Sequence, residues 1–260
     1  MRPNPVKTRL AAGETLFGTM IFEFLSPGLP RIMANSGADF VFYDLEHSGF
    51  TIEDMKTQFA LCAGAGVIPF ARPPGKEYQF TSRLLDVGAF GMLYQMVESA
   101  EEARELVRWN RYPPRGIRGA IFGGAHDDYT GGDMAEKAVA AMERTFTTVL
   151  IETKAGLENI DEILGVDGID AAHLGHADMS LSLGIPGQFD HPDLQRAVDK
   201  IAETAAKHGK TAATLAPNPE WGHDALNRGY RMITYSYDMG LLGDALAAGI
   251  GGLKDGLKGK

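Results

Sequence analysis

From residue 16 to residue 248 the chain repeats one alternation eight times. A short apolar run, rich in aromatic or β-branched residues, gives way to a segment whose apolar residues fall at helical spacing. The runs lie at 16–22, from 40, and at 67–72, 90–95, 147–152, 169–175, 210–215 and 231–236. Strict alternation predicts a parallel sheet, and eight units predict a closed (β/α)8 barrel, the TIM barrel. A doubly wound open sheet is the competing architecture. No Gly-x-Gly-x-x-Gly follows an early run to make the dinucleotide site such a sheet often carries. A length of 260 residues with 44% hydrophobic content suits a single barrel domain.

Local signals punctuate the pattern. Thr51 with Glu53 and Asp54 marks a helix start, as does the capping-box string Ser99-Ala100-Glu101-Glu102. One helix is expected over residues 156–164 and a last one over 239–248. Residues 1–15 read as a lead-in, helical from 8 to 13. Residues 249–260, rich in glycine and lysine, read as a flexible tail. Residues 111–132 break the rhythm with a long segment rich in glycine and charge, and ordered loops of that length are often functional.

The net charge of -9 and the lack of a basic run argue against nucleic acid and anionic membrane surfaces as partners. The single cysteine, Cys62, excludes an internal disulfide and a thiolate zinc site. The first residues lack the apolar core of a signal peptide, so a cytoplasmic protein is expected.

Polar residues collect where the apolar runs end. The second run closes as Asp44-Leu45-Glu46-His47, the third at Arg72, the fourth at Gln95 and the fifth at Glu152. The sixth leads through Gly175-His176-Ala177 to Asp178. In a barrel these ends share one rim, where barrel active sites lie. Glu152 follows Val149-Leu150-Ile151, and a carboxylate at such a position needs a cation or an ion-pair partner, with Lys154 or Arg72 as the candidates. Asp178 reads as a second cation ligand or a plain helix cap. Arg72 suits a carboxylate or enolate oxygen, or else a salt bridge to Asp44 or Glu46. His47 is of the residue type suited to act as a base near neutrality, and Asp44 could orient its ring or cap the next helix. Backbone N–H groups around Ala177 and Asp178 could hold a substrate carboxylate.

The strings Asp44-Leu45-Glu46-His47, Arg72-Pro73, Leu85-Asp86-Val87-Gly88-Ala89, Arg111-Tyr112-Pro113-Pro114-Arg115-Gly116, Ile151-Glu152-Thr153 and Gly175-His176-Ala177-Asp178-Met179-Ser180 occur in order. Together they closely resemble the HpcH/HpaI class II aldolases, over residues 17–244. The resemblance implies a (β/α)8 barrel with a divalent cation, Mg²⁺ or Mn²⁺ with Co²⁺ as a further candidate, held by Glu152 and Asp178. It implies reversible aldol chemistry on 4-hydroxy-2-oxo acids, with pyruvate or a related 2-oxo acid as donor and an aldehyde as acceptor. It implies His47 as base, oriented by Asp44, and Arg72 as the group that meets the enolate. It matches Asp86 to a family acid near the subunit contact and Leu215 to an apolar wall on the aldehyde side. It also implies a homohexamer, a trimer of dimers with terminal helices exchanged between subunits.

The chain departs from the family pattern at His176, where proline is usual, at Gln95, which replaces the proline of a Pro-Met-Val string, at Leu150, where glutamine is common, and in the loop at residues 122–129. His176 could be a ligand, a second base, an outward-facing ring or, as favoured here, a residue behind the reacting groups. The departures bear on donor and acceptor more than on fold or metal. Competing readings are a related lyase with an altered donor, acyl-CoA or a bulkier 2-oxo acid, and a non-catalytic barrel that binds a metabolite. A Schiff-base aldolase would need a lysine at the rim, and Lys154 is the nearest.

Overall fold

The computed structural model describes residues 1–257. Eight parallel strands close into a barrel: β1 (Leu16–Ile21), β2 (Phe40–Asp44), β3 (Ile68–Arg72), β4 (Gly91–Tyr94), β5 (Phe146–Ile151), β6 (Ala171–Leu174), β7 (Thr211–Ala216) and β8 (Met232–Tyr237). Each strand pairs with its sequence neighbour, and β1 closes the ring against β8. The alternation expected from the sequence is therefore a (β/α)8 barrel.

The strand period of two divides the core into an inner and an outer layer. Along β2, Phe40 and Phe42 belong to the barrel interior, while Val41 and Tyr43 belong to the layer between strands and helices. Aromatic rings fill the lower interior, with Phe42 5.4 Å from Phe70 and Phe70 5.6 Å from Phe146 between ring centroids. The packing there leaves no room for side chains at every inward position. A Cβ on Gly18 would lie 2.4 Å from the Phe40 ring, so the first strand needs glycine where it passes that ring.

Helix starts follow the sequence signals. Thr51 and Asp54 form a reciprocal capping box for Ile52–Ala65, and Ser99 accepts from the Glu102 N–H ahead of Ala100–Asn110. Three expectations need correction. The helix expected at 8–13 runs Pro5–Ala11 instead, with proline in its first turn and the Asn4 side chain accepting from the Lys7 N–H. The helix expected at 156–164 is two pieces, Lys154–Glu158 and Ile160–Leu164. They break at Asn159, whose side-chain amide donates to Glu98 O at 2.8 Å. The expected tail is helical over much of its length, since the last helix runs Asp238–Asp255. Its start is anchored because the Asp238 carboxylate accepts from the N–H groups of Phe22, Glu23 and Phe24. Residues 258–260 of that tail lie outside the described residues. Among the described residues no helix is long and apolar enough to cross a membrane.

The segment 111–132 runs along the side of the barrel with one short 3-10 turn, Ala125–Asp127. Buried Asp127 fixes it, accepting from Lys137 Nζ at 2.7 Å and Gly123 N–H at 2.8 Å.

Candidate active site

The C-terminal ends of β2 and β3 lock together first. Asp44 and Arg72 are register partners, and the fully buried Asp44 carboxylate accepts from Arg72 Nε. A second arm of the guanidinium, Nη1, lies 3.1 Å from the Glu46 carboxylate. The guanidinium also sits over the Phe22 ring, 5.7 Å from its centroid. Arg72 is thus both a structural ion pair and a residue of the rim.

This arrangement corrects the expected role of Asp44. Its carboxylate accepts from the His47 backbone N–H at 2.6 Å and not from the imidazole. The His47 ring has Nε2 3.6 Å from the Glu46 carboxylate and is largely exposed. Asp44 therefore places the turn that carries His47, and Glu46 is the carboxylate beside the ring. Burial holds the Glu46 carboxyl above its ordinary range, against the pull of Arg72 and His47.

Glu152 follows β5 directly and is buried. One carboxylate oxygen, Oε1, accepts from the Met96 N–H at 2.8 Å. Met96 holds that position with a φ of 52°, a left-handed conformation uncommon outside glycine. Burial pushes the Glu152 carboxyl up to about 7, and the nearby Asp178 and Glu46 charges add to the effect; the Met96 N–H and Arg72 oppose it. Gly175 makes room for this side chain, because a Cβ there would lie 2.5 Å from Glu152 Oε2. Asp178 lies exposed in the first turn of the helix His176–Ser182, beside Ala177.

These groups line a cavity of about 200 Å³. His47, Arg72, Glu152, Ala177 and Asp178 form its polar side, and Met20, Leu93, Leu150 and Leu215 an apolar side. Two larger clefts, about 610 and 660 Å³, lie between outer helices and contain none of these residues. The rim cavity is the smaller one but the only one of the three that joins a buried carboxylate to an arginine and a histidine. Of the residues expected at the rim, His47, Arg72, Glu152, His176 and Asp178 line the cavity, whereas Asp44, Glu46 and Gln95 do not. Asp86 ends the helix Tyr78–Asp86 and pairs with Arg118 Nη2 at 2.7 Å, outside the cavity of its own chain. Gln95 is buried beside the rim, donating to Pro73 O at 3.0 Å, and does not line the cavity.

His176 does line it. Its ring rests against Trp221 and Phe189, at centroid distances of 5.0 and 5.1 Å. Burial lowers its pKa, which keeps the ring neutral. The sequence reading missed His173, which also lines the cavity. A signal was present: one imidazole in the otherwise apolar string Ala171-Ala172-His173-Leu174, two positions before Gly175 and so on the same strand face. Lys154, the residue a Schiff-base site would need, is exposed and lies 3.9 Å from Glu158.

Among the described residues no three His, Cys, Asp or Glu side chains converge as ligands. Glu152 and Asp178 form a carboxylate pair whose mutual repulsion helps raise the Glu152 carboxyl, and among the described residues no lysine or arginine bonds Glu152. Two hard oxygen donors with positions left for water and substrate oxygens fit an ion of the Mg²⁺ type, which commonly binds through one or two carboxylates.

The comparisons with known proteins converge on one family. The model of the family described as HpcH/HpaI aldolase/citrate lyase matches residues 20–245. A hydroxypyruvate/pyruvate aldolase of Roseobacter denitrificans is 36% identical over 249 residues, 94% of this chain and 96% of that protein. A 2-keto-3-deoxy-L-rhamnonate aldolase of Klebsiella pneumoniae is 35% identical over 243 residues, 94% of this chain and 90% of the relative. The crystal structure of an HpcH/HpaI aldolase from Desulfitobacterium hafniense DCB-2 superposes with a TM-score of 0.92 at 32% identity, covering 96% of each chain.

Proposed function

The chain belongs to the HpcH/HpaI aldolase/citrate lyase family and is an aldolase of it, and we propose that it cleaves and forms 4-hydroxy-2-oxo acids, with pyruvate or a related 2-oxo acid as donor and an aldehyde as acceptor. The observation that carries this reading is the buried Glu152 carboxyl facing the Asp178 charge, with Arg72 lining the same cavity. Glu152 and Asp178 would hold a divalent cation, Mg²⁺ or Mn²⁺ being the best matches to two carboxylates. Bound there, the cation supplies Lewis-acid polarisation of the 2-keto group.

The chain's own residues divide the remaining work. In the cleavage direction His47 removes the proton from the C4 hydroxyl of the substrate, the C3–C4 bond breaks, and the electron pair moves toward the 2-keto oxygen. Arg72, tied on two sides to Asp44 and Glu46, presents its charge to the enolate oxygen without having to reorganise. Glu46, beside the His47 ring, stabilises the imidazolium that forms. The N–H groups of Ala177 and Asp178, in the first turn of the helix His176–Ser182, would hold the substrate carboxylate. Leu215 supplies the apolar wall for the aldehyde.

The last helix carries exposed apolar side chains at Leu242, Leu246, Ile250 and Leu253. They support a homo-oligomer built through this helix, in keeping with the hexamer that the family resemblance implies.

The test is pyruvate release from a 4-hydroxy-2-oxo acid, followed with lactate dehydrogenase. Turnover that needs Mg²⁺ or Mn²⁺, stops with chelator and leaves no adduct with borohydride supports the reading. Turnover that survives chelation and is trapped by borohydride would move the chemistry to a lysine.

A further inference from the structure

The cavity has a floor as well as a rim, and the floor carries one polar side chain. Arg72 and Glu152 stand at the strand ends. One inward-facing position deeper on β5 is Leu150, and its register partner on β6 is His173. Met20, Leu93, Leu150 and His173 meet at this depth and all line the cavity. The first three have no hydrogen-bonding side chain, since a thioether is at most a weak acceptor.

The state of the His173 ring follows from its contacts. Its Nδ1 lies 3.1 Å from the Leu174 carbonyl oxygen, so Nδ1 carries the proton and donates. Burial lowers its pKa to about 3, so the ring is neutral and Nε2 keeps its lone pair. Among the described residues none donates a hydrogen bond to Nε2, and this atom keeps some exposed surface. The edge of the ring packs against Phe42 at 6.1 Å and 90°, which fixes its plane. His173 thus presents a single oriented acceptor to the cavity floor, among aliphatic neighbours.

Building on the proposed aldolase reading, we infer that His173 is a donor-specificity residue whose Nε2 accepts a hydrogen bond from a hydroxyl on C3 of the 2-oxo acid, so that the preferred donor is a 3-hydroxy-2-oxo acid of the hydroxypyruvate type. A 2-oxo acid has three ends. Its carboxylate and keto oxygens are matched by the charged rim, which leaves C3 for the deeper, aliphatic part of the cavity. A methyl group at C3 meets Met20, Leu93 and Leu150 and leaves Nε2 without a partner from the substrate. A hydroxyl at C3 gives Nε2 its donor. A buried acceptor left unpaired costs free energy, so the site discriminates in favour of the hydroxylated donor.

The experiment compares hydroxypyruvate with pyruvate as donor to one acceptor, D-glyceraldehyde, in the Mg²⁺-loaded protein and in two variants. His173→Phe keeps a planar ring against Phe42 and removes the acceptor; His173→Gln keeps an acceptor on a different frame. The expected result is that His173→Phe loses about tenfold or more in kcat/KM for hydroxypyruvate, chiefly through KM, and little for pyruvate. His173→Gln recovers part of the preference. Equal losses for both donors in His173→Phe, or no loss for either, would overturn the inference and leave the aldolase reading in place. Should His173→Phe fail to fold, His173→Gln decides alone: a hydroxypyruvate preference abolished despite the retained acceptor contradicts the assignment. Wild-type protein that uses neither donor would overturn the aldolase reading itself, and this inference with it.

Discussion

Asp44 and Arg72 stand opposite each other on β2 and β3, and the guanidinium that closes on the buried Asp44 carboxylate also reaches Glu46 at 3.1 Å. The pair joins fold to chemistry, because the same arginine seals two strand ends and lines the cavity. Removing it should therefore damage both. Arg72→Ala leaves a buried carboxylate without its partner and should cost about 3–5 kcal/mol of stability. Arg72→Lys keeps the charge but loses the planar fork. It should melt much closer to wild type while turnover falls by about a hundredfold. Chemical denaturation and steady-state kinetics on the two variants separate the effects. Arg72→Lys with full activity would leave the residue a structural role only.

The Glu152 carboxyl, raised to about 7 by burial and by neighbouring negative charge, sets a pH dependence. In the cation-free protein the folded state holds a proton on Glu152 that an unfolded chain releases near the ordinary glutamate pKa of about 4.3. The folded state binds more protons between these values. This contribution to stability is thus present at low pH and is lost as pH rises toward 7. Cation binding has the opposite sign, since it needs the ionised form and weakens as pH falls below about 7. Thermal melts from pH 5 to pH 8, with and without Mg²⁺, should show a stabilising shift by Mg²⁺ that grows with pH. Glu152→Gln should abolish that growth. A shift independent of pH would detach the cation from Glu152.

Gly175 can be tested by adding one carbon. Its Cβ would fall 2.5 Å from Glu152 Oε2, within a contact that real side chains do not tolerate. Gly175→Ala should lose tenfold or more in turnover and bind the cation more weakly, with an overpacking cost of about 1–3 kcal/mol. Isothermal titration with Mn²⁺ reads the effect on the ligand directly. Unchanged Mn²⁺ affinity would mean that Glu152 does not need its present position.

What could be read from the sequence follows from how local each feature is. Strand ends and helix caps are written in neighbouring residues, so Asp44, His47, Arg72, Glu152 and Asp178 could be placed on one rim from order alone. Partners across strands are less legible. Asp44 lies three residues before His47, which invites a carboxylate–imidazole pair, but a strand neighbour 28 positions away takes the carboxylate instead. His173 is less legible still, because an inward position on a strand looks like any core position until the depth of the cavity is known. The helix to Asp255 was missed because its glycines lower helix propensity. What the glycines conceal is a ridge of leucine and isoleucine on the same helix.

That ridge gives the oligomer prediction. Leu246 is 54% exposed in a helix whose large apolar side chains all remain exposed among the described residues. Leu246→Glu should leave the barrel folded by circular dichroism and shift the protein to a smaller species in light scattering. An unchanged mass would place the subunit contact elsewhere.

Enolate formation from a 2-oxo acid at this rim can be tested without knowing the aldehyde. The measurement is proton NMR of pyruvate and of hydroxypyruvate in D₂O with the protein and Mg²⁺, then with excess chelator, and again with Glu152→Ala. The predicted result is loss of the C3 proton signal as deuterium enters, for at least one donor, only when both Mg²⁺ and Glu152 are present. Exchange that persists in chelator or in Glu152→Ala, or no exchange of either donor by protein shown to bind Mg²⁺, would contradict it.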